Sequence, residues 1–330
     1  MSEDRTMPDG EIQRFRIGIV GHGFVGQAVE YAFTHPLVDF NFYDPKYDTS
    51  VENLQHTPRE NHPQCFFVSA PTPSNDDGSV DSSIVEAAVA NCLVYTDALV
   101  VVKSTITPES VDRLYSAMNR EQVNRFCYNP EFLTEKNAKA DFVTAKFHVM
   151  GGMPEACQDL IDIYEIFGSC ESNNYHRMTA YEASFVKYSI NSFLSTKITF
   201  FNQLYDIVNL YGCNFNTIVR AVGADDRVGL GHTRVPGFDG KRGFGGACLP
   251  KDTRAFLDFS AHEFADGTET SFDLLQKVLD INSAYRVQYD LDERERVNNI
   301  TFVDFGGKNV DNGQTKEKLE DKGDIDPIDE

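Results

Sequence analysis

The segment Gly243-Phe244-Gly245-Gly246-Ala247-Cys248-Leu249-Pro250-Lys251-Asp252 gathers the chain's densest chemistry: a glycine-rich loop, a thiol, a proline, a cation and an acid. Proline is favoured in the first turn of a helix, because its ring presets the backbone angle and it lacks a donor that would go unpaired. The pattern therefore places Cys248 at the positive end of a helix. There the helix dipole and Lys251 both favour thiolate, the form that attacks a carbonyl carbon. The bland alternative is a small thiol buried under a loop. The seven cysteines (65, 92, 127, 157, 170, 213 and 248) stand singly, with no CxxC pair and no histidine partner at metal-ligand spacing. Reduced thiols and no metal site are the expectation.

A second group of chemistry-bearing residues lies near the N-terminus. Gly21-His22-Gly23-Phe24-Val25-Gly26 follows the β-branched run Arg16 to Val20 and precedes a stretch with helical spacing. Such glycines let backbone amides approach a pyrophosphate at a helix start. Asp44 closes the next apolar run, 18 residues beyond Gly26. A carboxylate there accepts hydrogen bonds from a ribose 2′-hydroxyl and repels a 2′-phosphate, favouring NAD over NADP. The alternative is a glycine turn that only lets helix pack on strand.

Positioning these residues requires alternating strands and helices. Strands are predicted at Arg16 to Val20, Phe40 to Tyr43, Cys65 to Ser69 and Ala98 to Lys103, with a helix over Ser82 to Tyr95; Phe126 to Tyr128 and Phe147 to Met150 could extend the sheet. That order reads as an α/β domain on a parallel sheet over residues 15–178, behind a polar arm at 1–14. From Thr179 to Tyr211 runs a segment free of proline and glycine, predicting one long helix whose apolar positions exceed a single stripe. Further helical patterns at Asn216 to Val222, Thr253 to Phe264 and Ser271 to Tyr289 complete a smaller helical domain, 179–289. Residues 290–330 read as an acidic, disordered tail.

Composition bounds the function. The chain has 330 residues, 41% apolar and 25% charged, with a formal net charge of −21. Such a balance fits a globular protein, and the acidity would repel nucleic acid and anionic membranes. No apolar run reaches the length of a membrane span and the first residues are polar, so a cytoplasmic location is expected.

The segment GFGGACLPKD closely resembles the cysteine signature of the UDP-glucose and GDP-mannose dehydrogenase family. Further motifs follow the family's order over residues 16 to about 286: GHGFVG, Pro71-Thr72-Pro73, Lys103-Ser104-Thr105, Asn129-Pro130-Glu131-Phe132-Leu133-Thr134-Glu135, and Glu182 through Lys187 to Asn191. The resemblance implies a Rossmann-type NAD domain followed by a long helix and a helical domain, acting on a nucleotide sugar, and the long apolar helix makes a homodimer the expected assembly. It makes Cys248 the nucleophile, and Lys187 with Asn191 the pair steadying negative oxygen on the reacting carbon. Four residues along a helix put that pair on one face, although an ordinary polar helix face is the other reading. Asp252 matches a carboxylate working with an ordered water, Thr105 a hydroxyl near it, and Glu131 the acid or base of thioester hydrolysis. Glu131 could equally be a surface acid after a proline. Pro71, Thr72, Ser104, Thr105, Glu135 and Lys251 join Gly21, Gly23, Phe24, Val25, Gly26 and Asp44 as cofactor contacts. Glu131, Phe132, Leu133, Lys187, Asn191, Phe244 and Gly245 fall on the sugar-nucleotide side, with Phe244 open to a core role. Arg227 resembles an arginine reaching into a neighbouring subunit's site, in competition with Arg234 and Arg242.

The implied reaction is the four-electron oxidation of a primary alcohol to a carboxylate through a thioester. UDP-glucose is the default substrate, with UDP-N-acetyl sugars and GDP-mannose close behind. Relatives continue into a second Rossmann-like domain that this sequence lacks, of whose first strand Ile300 to Phe305 could be a remnant. That leaves two rival readings: a non-catalytic NAD- or substrate-binding module, and a one-step hydroxyacid dehydrogenase.

Overall fold

The structure, a computed structural model, describes residues 14–263 and 272–302. The chain divides into two compact units, Met1–Ile190 and Asn191–Glu330.

The first unit is built on a seven-stranded sheet: β1 (Phe15–Val20), β2 (Val38–Tyr43), β3 (Cys65–Val68), β4 (Leu99–Val102), β5 (Phe126–Tyr128), β6 (His148–Gly152) and β7 (Tyr175–Met178), in the order β2-β1-β3-β4-β5-β6-β7. Strands β3 and β4 are buried along their whole length, which is why they read as unbroken apolar runs rather than alternating ones. Their side chains alternate between two cores. Ile17, Ile19, Phe67, Val101 and Cys127 pack on one face, and Phe66, Val68, Val100, Val102 and Tyr128 on the other. Helices α1 (Phe24–Ala32), α5 (Ala138–Val143) and α6 (Pro154–Phe167) cover the first face, while α2 (Ser83–Tyr95) and α3 (Pro108–Ala117) cover the second; α4 (Arg120–Val123) is a short turn before β5. This is the Rossmann-type α/β fold expected of the sequence, with two differences. β6 pairs antiparallel with β5, and the polar run Tyr175–Met178 forms an edge strand parallel to β6. Neither was readable, because a short run carries no direction and β7 lacks apolar alternation.

Helix α7 (Ala180–Leu210) spans 31 residues. Thr179 and Glu182 fix its start reciprocally, since Glu182 accepts from the Thr179 N–H at 2.7 Å and the Thr179 hydroxyl accepts from the Glu182 N–H at 3.2 Å. Gly212, at φ +63°, ends it.

The second unit holds the rest of α7 with α8 (Phe215–Gly223), α9 (Leu249–Glu263), α10 (Asp273–Arg286) and α11 (Glu293–Val297). Phe201, Val208, Phe215 and Val219 form one apolar cluster, and Phe244, Val278 and Leu279 another. Helix α11 corrects the expectation of a disordered tail from residue 290. Asp292 and Glu295 form a capping box, and Glu295 is fully buried, so local capping and one anchored acid order a stretch whose composition alone suggests disorder. Residues 303–330, and with them the second half of the proposed remnant strand, lie outside the described residues, as does the arm 1–13. No helix among the described residues is long and apolar enough to cross a membrane.

Candidate functional site

In the first unit the glycine loop leaves β1 and enters α1, and its three glycines differ in what their missing side chains allow. Gly21 stands at φ +83°, and a β-carbon on it would lie 2.7 Å from the Ser69 carbonyl oxygen. One on Gly26 would lie 2.3 Å from the Gly21 carbonyl oxygen. Both are demanded by the protein's own backbone. Around Gly23 there is nothing within 4 Å, so its missing side chain leaves open space at the N-terminus of α1. Gly23 is the N-cap and offers no side-chain acceptor to the helix amides, and no acid occupies the first turn. An uncapped, unscreened helix start beside an open glycine fits a pyrophosphate. Phe24 and Val25 begin the helix itself.

Asp44 holds this loop from the end of β2. Its Oδ2 accepts the His22 N–H at 2.7 Å and its Oδ1 the Lys46 N–H at 2.9 Å. Burial raises its pKa, but the His22 and Lys46 amides and the Lys46 charge outweigh that and hold it below the ordinary value. A carboxylate has about four acceptor positions, which leaves room for ribose hydroxyls. The turns after β3 and β4 lie side by side: the Ser104 hydroxyl donates to the Ala70 carbonyl at 2.7 Å, with Pro71 exposed and Thr72 buried next to it. Thr105 is partly exposed.

Glu131 is no surface acid. Its Oε2 meets the Lys103 Nζ at 2.8 Å, with side-chain exposures of 12% and 1%. Lys103 also donates to Asn129 Oδ1 at 2.9 Å, and Tyr164 donates to the same oxygen at 2.8 Å. Sequence reasoning misses the roles of Lys103 and Asn129, since nothing in a linear sequence shows that an apolar strand ends on a buried ammonium paired 28 residues away. Lys187, also buried, donates to the Glu131 carbonyl oxygen at 2.5 Å and sits 5.2 Å from the centre of the Phe132 ring. Leu133 packs against the core and Glu135 is exposed.

The second unit carries the thiol. Cys248 is exposed and immediately precedes α9, its carbonyl accepting the Asp252 N–H at 2.8 Å, the first bond of the helix. The bland reading of a buried thiol does not hold for it. Beside it, Asp252 is 1% exposed and receives Asn191 Nδ2 at 2.5 Å and Lys251 Nζ at 2.6 Å. Lys251 is thus one of the partners that Asp252 holds. Among the other cysteines, 65, 92, 127 and 157 are buried, and the described residues hold no cluster of three metal-ligating side chains.

Two expected substrate contacts have structural duties. Phe244 is 2% exposed, packs on Val278 and Leu279, and has both backbone groups bonded to Asn282, at 2.7 and 2.9 Å. Of the two readings open to Phe244, the ring takes the core role. Gly245 gives room to Arg286, whose Nη2 would lie 2.2 Å from an added β-carbon. Of the three arginines, Arg242 is fixed between the Tyr205 and Tyr285 rings and bonded to Asn202 and Asp206. Arg227 is 89% exposed on its side chain and paired only locally with Asp225, and Arg234 lies over Phe238.

Comparison with known proteins is specific. Residues 47–168 match the UDP-glucose/GDP-mannose dehydrogenase family, NAD binding domain, and residues 181–284 match the central domain of the same family, together more than half of the chain. The chain is 32% identical over 248 residues to a UDP-glucose 6-dehydrogenase of Haloferax volcanii, covering 68% of this chain and 55% of the relative. It is 33% identical over 207 residues to a UDP-glucose 6-dehydrogenase of Pseudomonas aeruginosa, covering 59% and 44%. The chain thus spans about half the length of the curated relatives it matches. Among solved structures, a UDP-glucose dehydrogenase from Pyrobaculum islandicum superposes with a TM-score of 0.66 at 27% identity, over 83% of this chain and 70% of that one.

Proposed function

The chain belongs to the UDP-glucose/GDP-mannose dehydrogenase family, and from that membership we propose that it is an NAD-dependent nucleotide-sugar 6-dehydrogenase, oxidising the primary alcohol of UDP-glucose to the carboxylate through a thioester on Cys248. The observation that carries the reading is Cys248 itself, exposed at the start of α9 next to the buried Asn191–Asp252–Lys251 cluster.

Two NAD molecules, bound one after the other, would each accept one of the two hydrides that separate an alcohol from an acid. The chain supplies the rest. The open Gly23 and the bare start of α1 take the pyrophosphate, and Asp44 takes the ribose hydroxyls. The Cys248 thiolate adds to the aldehyde carbon, so that its oxygen becomes an oxyanion; loss of hydride from that carbon restores the carbonyl as a thioester. Lys187 and Asn191 each retain N–H donors beyond those spent on Glu131 and Asp252, and these stabilise charge on that oxygen. In hydrolysis water breaks the C–S bond. Glu131 takes the water's proton and the sulfur leaves as thiolate.

Residues Phe193, Phe200 and Ile207 lie seven apart on α7 and are 65%, 59% and 55% exposed, an apolar stripe that supports pairing of two copies along this helix. Cytoplasmic placement is part of the same proposal, supported by free cysteines that are mostly buried.

NADH counted against UDP-glucose consumed tests the reading. Two per sugar is the expected result, one would indicate a one-step dehydrogenase, and none with UDP-glucose, a UDP-N-acetyl sugar or GDP-mannose would leave a binding module.

A further inference from the structure

Beyond the residues that meet substrate or cofactor, the second unit contains a buried ion pair whose place is unusual. Arg286 of α10 is 1% exposed and Glu295 of α11 is 0% exposed, and they meet through Nη2 and Oε1 at 2.5 Å. The other guanidinium arm reaches Asp239 at 2.6 Å. A buried pair of this kind gives little net stability compared with apolar side chains of similar volume, so a role in fixing geometry is the better account of it.

What it fixes is the loop leading to Cys248. Glu295 Oε1 also accepts the Gly246 N–H at 3.1 Å, two residues before the thiol, while Oε2 accepts the Asp292 N–H at 2.8 Å. Gly246 stands at φ +77° and Gly243 at φ +74°, conformations that side chains rarely adopt, so this backbone needs something to hold it. Asn282 holds Phe244 on one side and Glu295 holds Gly246 on the other, with the Arg286 guanidinium in the space left by Gly245. The loop is clamped at alternate residues by α10 and α11.

We propose that Glu295, supported by Arg286, is a positioning residue for Cys248, making the short helix after residue 290 part of the thiol's architecture. This rests on the reading of Cys248 as the nucleophile. Glu295→Gln removes the charge that binds Arg286 while keeping the size of the side chain, and Glu293→Gln, on an exposed position of the same helix, is its control.

The test is alkylation by iodoacetamide at pH 7, followed by peptide mass spectrometry of Cys248 against the exposed Cys213, together with steady-state kinetics. In E295Q the rate at Cys248 falls at least about fivefold while Cys213 is unchanged. With UDP-glucose, kcat falls about tenfold and the KM for NAD stays within about twofold. A Cys248 rate unchanged or raised overturns the proposal. If the wild type makes no NADH from any nucleotide sugar, the functional reading fails, and the alkylation ratio still decides the clamp. If E295Q does not fold, amide exchange of the unaltered protein decides: Gly246 N–H protected about 100-fold supports the clamp, and exchange at the unstructured rate overturns it.

Discussion

Asn191 Nδ2 donates to Asp252 Oδ2 at 2.5 Å, and both residues are buried. The other carboxylate oxygen takes Lys251 at 2.6 Å, so one acid in the first turn of α9 orders an amide from the long helix and a cation from its own turn. Replacing Asp252 by Ala removes the acceptor shared by the buried Asn191 amide and the buried Lys251 ammonium. Urea unfolding should show a loss of about 3 kcal/mol, and a loss below about 1 kcal/mol would contradict the arrangement.

The three glycines of the phosphate loop should separate into two kinds. Gly21→Ala and Gly26→Ala force a β-carbon against backbone oxygen and should cost about 1–3 kcal/mol of stability. Gly23→Ala meets nothing in the protein and should leave Tm unchanged, yet weaken NAD about tenfold. Equal effects of all three on Tm, with NAD binding by Gly23→Ala intact, would remove Gly23 from the cofactor cradle.

His148, buried beneath the Lys103–Glu131 pair, has its pKa pushed down to about 4, first by burial and then by the Lys103 charge, with Glu131 opposing. The unfolded chain therefore binds a proton that the folded chain refuses between about pH 6.5 and about pH 4. Stability should be full above that window and fall as the pH drops through it, by at most about 3 kcal/mol. His148→Phe should flatten that part of the curve; an unaltered slope would show that another group sets it.

Much of the fold was legible because its signals are local. Strand, glycine turn and helix follow each other within a few residues, and the proline after Cys248 marks the helix start. The pairing of Lys103 with Glu131 was not legible, because it arises from two strand ends brought together by the sheet. Phe244 looked like a site residue by its neighbours in sequence and is core because Val278 and Leu279 lie over it. Helix α11 was hidden by acidity, since composition cannot distinguish a solvated acid from Glu295, which is anchored on Arg286.

The exposed stripe on α7 predicts assembly. Phe193→Glu with Phe200→Glu should convert a dimer to a monomer in light scattering while the fold persists by circular dichroism. A wild-type protein already monomeric at high concentration would rule out that interface.

Covalent capture at one sulfur is the centre of the account. Glu131→Gln, which slows the hydrolytic half, should let the acyl intermediate accumulate; acid quench during turnover with UDP-glucose and NAD, followed by peptide mass spectrometry, reads it directly. The expected result is a Cys248 peptide carrying the mass of the oxidised nucleotide sugar. NADH formation with that peptide unmodified throughout would contradict it.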